Sequence, residues 1–468
     1  MKTKNLLVCI ILLITTQFVH AQNPEIWGTT QSGGILNGGT IFNMKTDGSD
    51  FTTVHNFSYP NGWMPMGNLL RASDGNLYGT CFEGGDYASC TLYRYDPDNG
   101  DYLDVYDFNI IDGDYPTSGV VEKDGILYGN SSSGGANFGG VIYSYDMATG
   151  IYTDIYDMSM STGSYPYSSP IVGTDGKLYG VTESGGANNL GTIYSFDIDN
   201  GVYSDLYNFA FTSGSNPYGG LIQANDGKLY GMTSMGGAND DGVIYSFDLS
   251  NNTYENLYDF DGTNGGGPKG TLMQGNGKLY GLTTQGGANN HGVIFSVEFD
   301  GSDFTNLFDF STADGTAPLG NLMLAGTILC GTTSSGGDNN YGTVFNFSLE
   351  TGNYTKLLDF NNTNGSNPNC GFITLGDDVA NGVQAPVNEK FSVYPNPVTQ
   401  YAICTIPSTI DGMAEIIVTD VCGKEILTQQ VVVTNSKVRV ELGSLASGVY
   451  NLELKTGAEK KTAKLVKE

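Results

Sequence analysis

The sequence predicts an all-β protein: a seven-bladed β-propeller, four strands to a blade, followed by a small Ig-like β-sandwich. Three observations carry the prediction. An aromatic-Gly step recurs at Trp27-Gly28, Tyr78-Gly79, Tyr128-Gly129, Tyr179-Gly180, Tyr230-Gly231 and Tyr280-Gly281, with Cys330-Gly331 as a degenerate seventh. Successive glycines are 51, 50, 51, 51, 50 and 50 residues apart, and a fixed period near fifty marks stacked repeats. Each repeat also breaks into four short extended runs, and this pattern stops after Asp378.

Taken in order, residues 1–21 read as a secretory signal. Lys2 and Lys4 supply the charged start, and Leu6 to Phe18 is apolar but too short to span a bilayer. Val19-His20-Ala21 is a small-residue cleavage site that leaves Gln22 as the mature start. Cys9 lies inside the apolar run, so no lipoprotein anchor is expected. No later segment is apolar enough to cross a membrane.

Residues 22–378 hold the repeats. In the unit that begins at Pro217, run A is Gly219 to Gln223, followed by the tight turn Asn225-Asp226-Gly227. Run B is Lys228 to Ser234, and Gly236-Gly237-Ala238-Asn239 opens a longer loop. Run C is Val243 to Asp248, and run D is Tyr254 to Phe260. A Gly/Pro loop then ends at Pro268. Run C is apolar on both pleat faces, which suits a sheet covered on both sides. The first repeat enters at run B (Glu25 to Thr30), and the last is followed by a lone run A (Gly371 to Leu375). One blade built from the N-terminal three strands and the C-terminal one would close the ring and hide its edges.

Residues 379–389 have linker composition. Residues 390–468 form a different unit, with alternating runs at Ala402–Ile406, Ala414–Val421, Lys424–Val432, Val438–Leu442 and Gly448–Leu454.

Charge divides the chain the same way. Gln22 to Glu389 carries 9 Lys and Arg against 41 Asp and Glu, whereas the tail carries 9 against 8. So acidic a body argues against nucleic acid, whose phosphates need basic contacts. It fits an extracellular protein with a solvated acidic surface. Export permits disulfides. Cys81 and Cys90 bracket one hairpin loop and are the candidate pair; Cys330 and Cys370 read as small core residues. Pairing of Cys404 with Cys422 in the tail is left open. No C-x-x-C exists, so no zinc site is expected.

Two resemblances rest on these residues. Leu178-Tyr179-Gly180, Gly185-Gly186 and Gly191-Thr192-Ile193-Tyr194 resemble GloVer repeats, a kelch-like family of extracytoplasmic tandem repeats. The likeness covers about Gln22 to Asp378 and implies a propeller; the family carries no agreed catalytic residues. The tail is similar to the type A C-terminal sorting domain of the Bacteroidetes type IX secretion system. It matches at Tyr394-Pro395-Asn396-Pro397, at Asp420 to Gly423, at Leu445 to Tyr450 (with Gly448) and at Lys464-Leu465-Val466-Lys467. That likeness implies the type IX translocon and sortase as partners, removal of the tail, and display on the cell surface.

The search for chemistry is less productive. The mature chain has two histidines. His55 occupies a Tyr/Phe position of run D, and His291 a variable loop position, so a Ser-His-Asp or Cys-His site is poorly supported. Carboxylates are abundant, which leaves a paired-carboxylate glycosidase open. Yet Asp107, Asp157, Asp259, Asp309 and Asp359 recur at equivalent places, as blade-building residues would. Asp96 to Gly100 and Asp197 to Gly201 suggest calcium loops, but they lack the terminal bidentate Glu, and tight turns explain them equally well. No other cofactor is implied.

Variation concentrates in the B–C and D–A loops, which must share one face of the ring. The candidate ligand-binding residues there are Trp63, Tyr87, Tyr115, Phe138, Tyr165, Asn188, Asn239, Asn289 and Asn339. Aromatics beside amides suit sugars or peptides, on loops held by a rigid scaffold. The same residues also serve simply to turn the chain and cap blades. Three readings follow: a displayed propeller that binds a glycan or protein, a secreted polysaccharide hydrolase or lyase, and a structural or adhesive coat component.

Overall fold

Run C decides how the repeats stack. In Val243–Asp248, period two directs Val243, Tyr245 and Phe247 into the core shared with the preceding sheet, while Ile244 enters the core shared with the next. A computed structural model of the chain describes residues 24–375 apart from 88, and in the tail 392–394, 401–405, 412–420, 424–433, 437–443, 445–456 and 459–467. The expected signal segment and linker, and Cys422, lie outside the described residues.

The repeat region is all-β, with antiparallel sheets that follow the A-B-C-D order. In one of them, Ile222–Gln223 pairs with Leu229–Thr233, then Val243–Asp248, then Thr253–Asp259. This arrangement is consistent with a propeller. The first sheet joins the two ends of the region. Ile373–Thr374 pairs with Glu25–Thr30 through Trp27↔Ile373 and Ile26↔Thr374, as the lone C-terminal run A implied. Ser32 and Ser366 add a bridge at the same junction. A mixed core of Ile26, Phe42 and Met44 with Met323, Val344 and Phe360 seals it. Burying each large apolar side chain contributes about 1.5–3 kcal/mol.

The recurring motif has a mechanical reading. Gly231 faces Tyr245 across strands B and C, and a Cβ on Gly231 would lie 2.4 Å from the Tyr245 hydroxyl. The glycine leaves room for the strand-C ring to lie flat across strand B. Asp226 accepts the Tyr230 hydroxyl at 2.7 Å and the Lys228 N–H at 3.0 Å, locking the A–B turn to the next strand. Asp74 and Asp175 accept Tyr78 and Tyr179 in the same way. Between C and D, a β-bulge falls at one place in every repeat, for example Ile193/Tyr194 and Ile244/Tyr245. Bulges sharpen the twist that adjoining sheets need.

Strand A is shorter than the sequence suggested: two residues, Ile222–Gln223, where five were expected. Its first part leaves the ladder because neighbouring A segments press together. The Gly220 N–H donates to Thr271 Oγ1 (2.9 Å), and the Thr271 N–H donates to Asn321 Oδ1 (2.7 Å). These bonds run between repeats rather than within a sheet.

The candidate Cys81–Cys90 disulfide is absent: both thiols are free and buried. Cys81 lies opposite Thr91, so Cys90 is one residue out of register with it. Alternation therefore sends the two side chains to opposite faces of the sheet, Cys81 beside Leu77 and Tyr93, Cys90 beside Leu92 and Phe108. Cys330 and Cys370 are buried free thiols, as expected of small core residues.

In the tail, Ser392–Tyr394, Tyr401–Thr405 and Lys437–Glu441 form one sheet. Glu425–Val433, Gly412–Asp420, Gly448–Thr456 and Glu459–Lys467 form a second. Val440 from the first sheet joins Ile416, Val418, Leu452 and Leu454 from the second in one core.

Candidate ligand-binding site

Each D–A loop ends on a proline, and the residue after it begins the A segment. In the seven repeats that residue is Met66, Thr117, Tyr167, Tyr218, Lys269, Leu319 and Asn369, and all seven line one cavity of about 100 Å³. Because every repeat contributes the same position, the cavity lies where the A edges converge, at the B–C/D–A end. The next residue is small throughout: Gly67, Ser118, Ser168, Gly219, Gly270, Gly320 and Cys370. A Cβ on Gly219 would lie 2.0 Å from the Gly270 carbonyl oxygen, and one on Gly270 2.6 Å from that of Gly320. The A segments thus approach backbone to backbone at this position, with the more varied post-proline side chains beside it.

The mouth is chemically uneven. Tyr167 and Tyr218 stack with centroids 4.9 Å apart and planes at 19°. The Lys269 ammonium lies 5.2 Å over the Tyr218 ring. Lys269 makes no ion pair among the described residues, in contrast to Lys45, Lys177, Lys278 and Lys356. Glu183 stands close behind; burial raises its carboxyl above the usual range and Lys269 partly offsets this. Burial, reinforced by Glu183, raises both tyrosine hydroxyls. Thr117 Oγ1, Ser168 Oγ and Asn369 Oδ1 are buried without a hydrogen-bond partner in the protein, so water or a ligand hydroxyl can satisfy them. The lining contains no Asp or Glu.

The sequence candidates lie elsewhere on this face and do not gather. Asn188, Asn239, Asn289 and Asn339 each donate their side-chain amide to a run-D carbonyl, those of Phe209, Phe260, Phe310 and Phe360, at 2.8–3.0 Å. Their neighbours Asn189, Asp240, Asn290 and Asn340 hold positive φ and accept N–H groups from the Gly-Gly pairs. Tyr115 and Tyr165 occupy the position before the proline, also at positive φ; Tyr115 stacks on Phe82 at 4.6 Å. Tyr87 and Phe138 are well exposed at 65% and 66%, and Trp63 is half-buried on a short strand opposite Glu83. Other exposed apolar side chains of these loops include Ile35, Tyr59, Ile111, Phe211, Met235 and Tyr341. Among the sequence candidates, Tyr115 and Tyr165 stop two residues short of the lining position and Trp63 three, while the others belong to the B–C loops. The signal was present: the post-proline position varies freely beside a neighbour that is always small.

The remaining candidates are architectural. Asp157, Asp259, Asp309 and Asp359 accept the N–H that follows a Gly-Gly pair. His55 stacks on Tyr102 at 4.2 Å, and burial lowers its pKa to about 4. His291 contacts Thr312 at 3.1 Å. Asp96 and Asp197 each cap their own C–D turn. Among the described residues, no group of three or more His, Cys, Asp or Glu is placed to hold a metal. In the tail, Tyr450 pairs with Leu465 and Gly448 with Lys467, so two of the sorting motifs, including Lys464 and Val466, face each other in one hairpin. Tyr394 ends a strand, while Pro395, Asn396 and Pro397 lie outside the described residues.

An antiparallel all-β repeat array with a separate C-terminal sheet pair is the class these features define. The chain belongs to the Gloeobacter/Verrucomicrobia repeat family, which matches residues 15–174 and 167–390. Residues 392–468 match the secretion system C-terminal sorting domain. That domain carries proteins out of the cell, so the chain is exported, to the surface or the medium, and meets the type IX machinery on the way. No curated protein matches the chain. Among solved structures, it is similar to a putative 6-phosphogluconolactonase from Bacteroides fragilis (14% identity, TM-score 0.51, 75% of this chain and 98% of that one). A second putative 6-phosphogluconolactonase, from Bacteroides uniformis, gives 13% identity and TM-score 0.50 over 75% of this chain and 100% of that one. TolB from Acinetobacter baumannii is more distant, at 16% identity and TM-score 0.39; the likeness covers 59% of this chain and 62% of TolB. At these identities the likeness is one of fold. No helix among the described residues is long and apolar enough to cross a membrane.

Proposed function

We propose that this chain is a surface-displayed, kelch-like seven-bladed β-propeller that binds an extracellular glycan at the axial end of its B–C/D–A face. Residues 1–21 direct it through Sec, and the tail, an Ig-like β-sandwich, is recognised by the type IX translocon and removed by its sortase. The ring rests on the pairing of Ile373–Thr374 with Glu25–Thr30 and on apolar cores between consecutive sheets.

One observation carries the binding reading: a stacked tyrosine pair beside three unpartnered polar atoms and a lysine, at a point where all seven repeats meet. Aromatic faces receive the C–H face of a sugar, and hydroxyls and amides satisfy its hydroxyl groups. A glycosidase needs two carboxylates flanking its bond, and the lining offers none. The apolar loop residues between Ile35 and Met235 favour a protein partner as the second reading.

The test is a glycan array probed with the mature full-length chain, with and without calcium, followed by product analysis of every hit. Binding without turnover is expected. Shortened or unsaturated products would replace this reading with an enzyme, and an array without hits would favour the protein partner.

A further inference from the structure

Lys269 is the one basic side chain of the cavity lining. Gln22 to Glu389 carries 41 acidic residues, and Lys45, Lys177, Lys278 and Lys356 sit against carboxylates, whereas Lys123 spends its ammonium on the Gly176 carbonyl. Lys269 instead holds its ammonium over Tyr218 at the cavity mouth, with no carboxylate within ion-pair distance among the described residues. The cavity lining supplies no counter-charge. The acid that does feel it, Glu183, lies outside the lining and beyond ion-pair distance, so the ammonium stays open to an anion from outside. Distant surface carboxylates do little to repel it, since charges beyond about 8 Å are largely screened at physiological salt.

The neighbours fix the kind of anion. Tyr167 and Tyr218 stack on each other and line the cavity with aromatic surface on the scale of one sugar ring. Thr117 Oγ1, Ser168 Oγ and Asn369 Oδ1 lack partners and match neutral hydroxyl groups rather than further charge. A cavity of about 100 Å³ lined by all seven repeats has room for the end of a chain rather than its middle.

We infer that the axial site takes a terminal uronic-acid residue of a polysaccharide. The sugar ring packs against the Tyr167–Tyr218 pair, its carboxylate meets Lys269, and its hydroxyls engage Thr117, Ser168 and Asn369. This deepens the glycan-binding proposal and rests on it.

The experiment is calorimetric titration of the mature full-length chain with oligogalacturonate and with the same oligomer fully methyl-esterified, at low and high salt. The acid is expected to bind about tenfold more tightly than the ester, the scale of one charge-assisted hydrogen bond, and the advantage is expected to shrink as salt rises. Lys269→Gln is expected to erase the difference between acid and ester, with an unchanged thermal melt. Equal affinity for acid and ester would overturn the uronate inference while leaving glycan binding intact. Binding of neither oligomer would overturn it as well, with the array then deciding the broader proposal. Loss of both oligomers in Lys269→Gln would also overturn it, by making the lysine structural.

Discussion

Gly180 lies opposite Tyr194, and a Cβ there would sit 2.4 Å from the Tyr194 hydroxyl. Gly180→Ala is therefore expected to destabilise the chain by about 1–3 kcal/mol through overpacking, read as a lowered thermal midpoint; an unchanged midpoint would mean that the ring moves freely. Run D offers a second residue-scale test. Asn256 donates to Asp259 and Asn306 to Asp309, both at 3.1 Å, while the second sheet has Asp104 beside Asp107 at the same spacing. Burial, with Asp107 alongside, raises the Asp104 pKa to about 8. A carboxyl whose folded pKa exceeds its unfolded value favours the fold while protonated, so stability should fall as pH rises from about 4 through 8. Asp104→Asn should flatten that slope and stabilise the protein at pH 8, as chemical denaturation across pH would register. An equally steep slope in the variant would assign it to other groups.

At the scale of elements, the sequence made runs B, C and D legible because alternation and Asp-Gly turns mark them; Val243–Asp248 has the expected bounds. Run A was overestimated, since nothing in Gly219-Gly220-Leu221 reveals that its backbone bonds cross to the next repeat. The final strand, Glu459–Lys467, hid behind its lysines, although Leu465 is fully buried. The loop asparagines were legible both as turn formers and as candidate binders, and sequence alone could not show that their amides are taken up by run-D carbonyls. The post-proline residues were visible but unranked, because their convergence is a property of the assembled repeats. The joining strand is the element to perturb. Ile373→Pro removes a ladder donor opposite Trp27. It should lower the thermal midpoint and broaden the unfolding transition; a sharp, unshifted transition would show that the two ends need no strand pairing.

For the whole molecule, the export domain and the proposed binding site sit in different parts of the chain. Deleting residues 391–468 should abolish surface display and leave the protein in the periplasm, which fractionation would detect; continued display would remove the tail from the export route. The seven post-proline residues, the varied members of otherwise small-residue A segments, line one cavity. Calorimetric titration of an array-identified glycan into Tyr218→Ala, beside Tyr115→Ala from the loop rim, tests that site most directly. Loss of binding in Tyr218→Ala with near-normal binding in Tyr115→Ala is the expected result. The reverse would move the site from the axis to the rim and contradict the account.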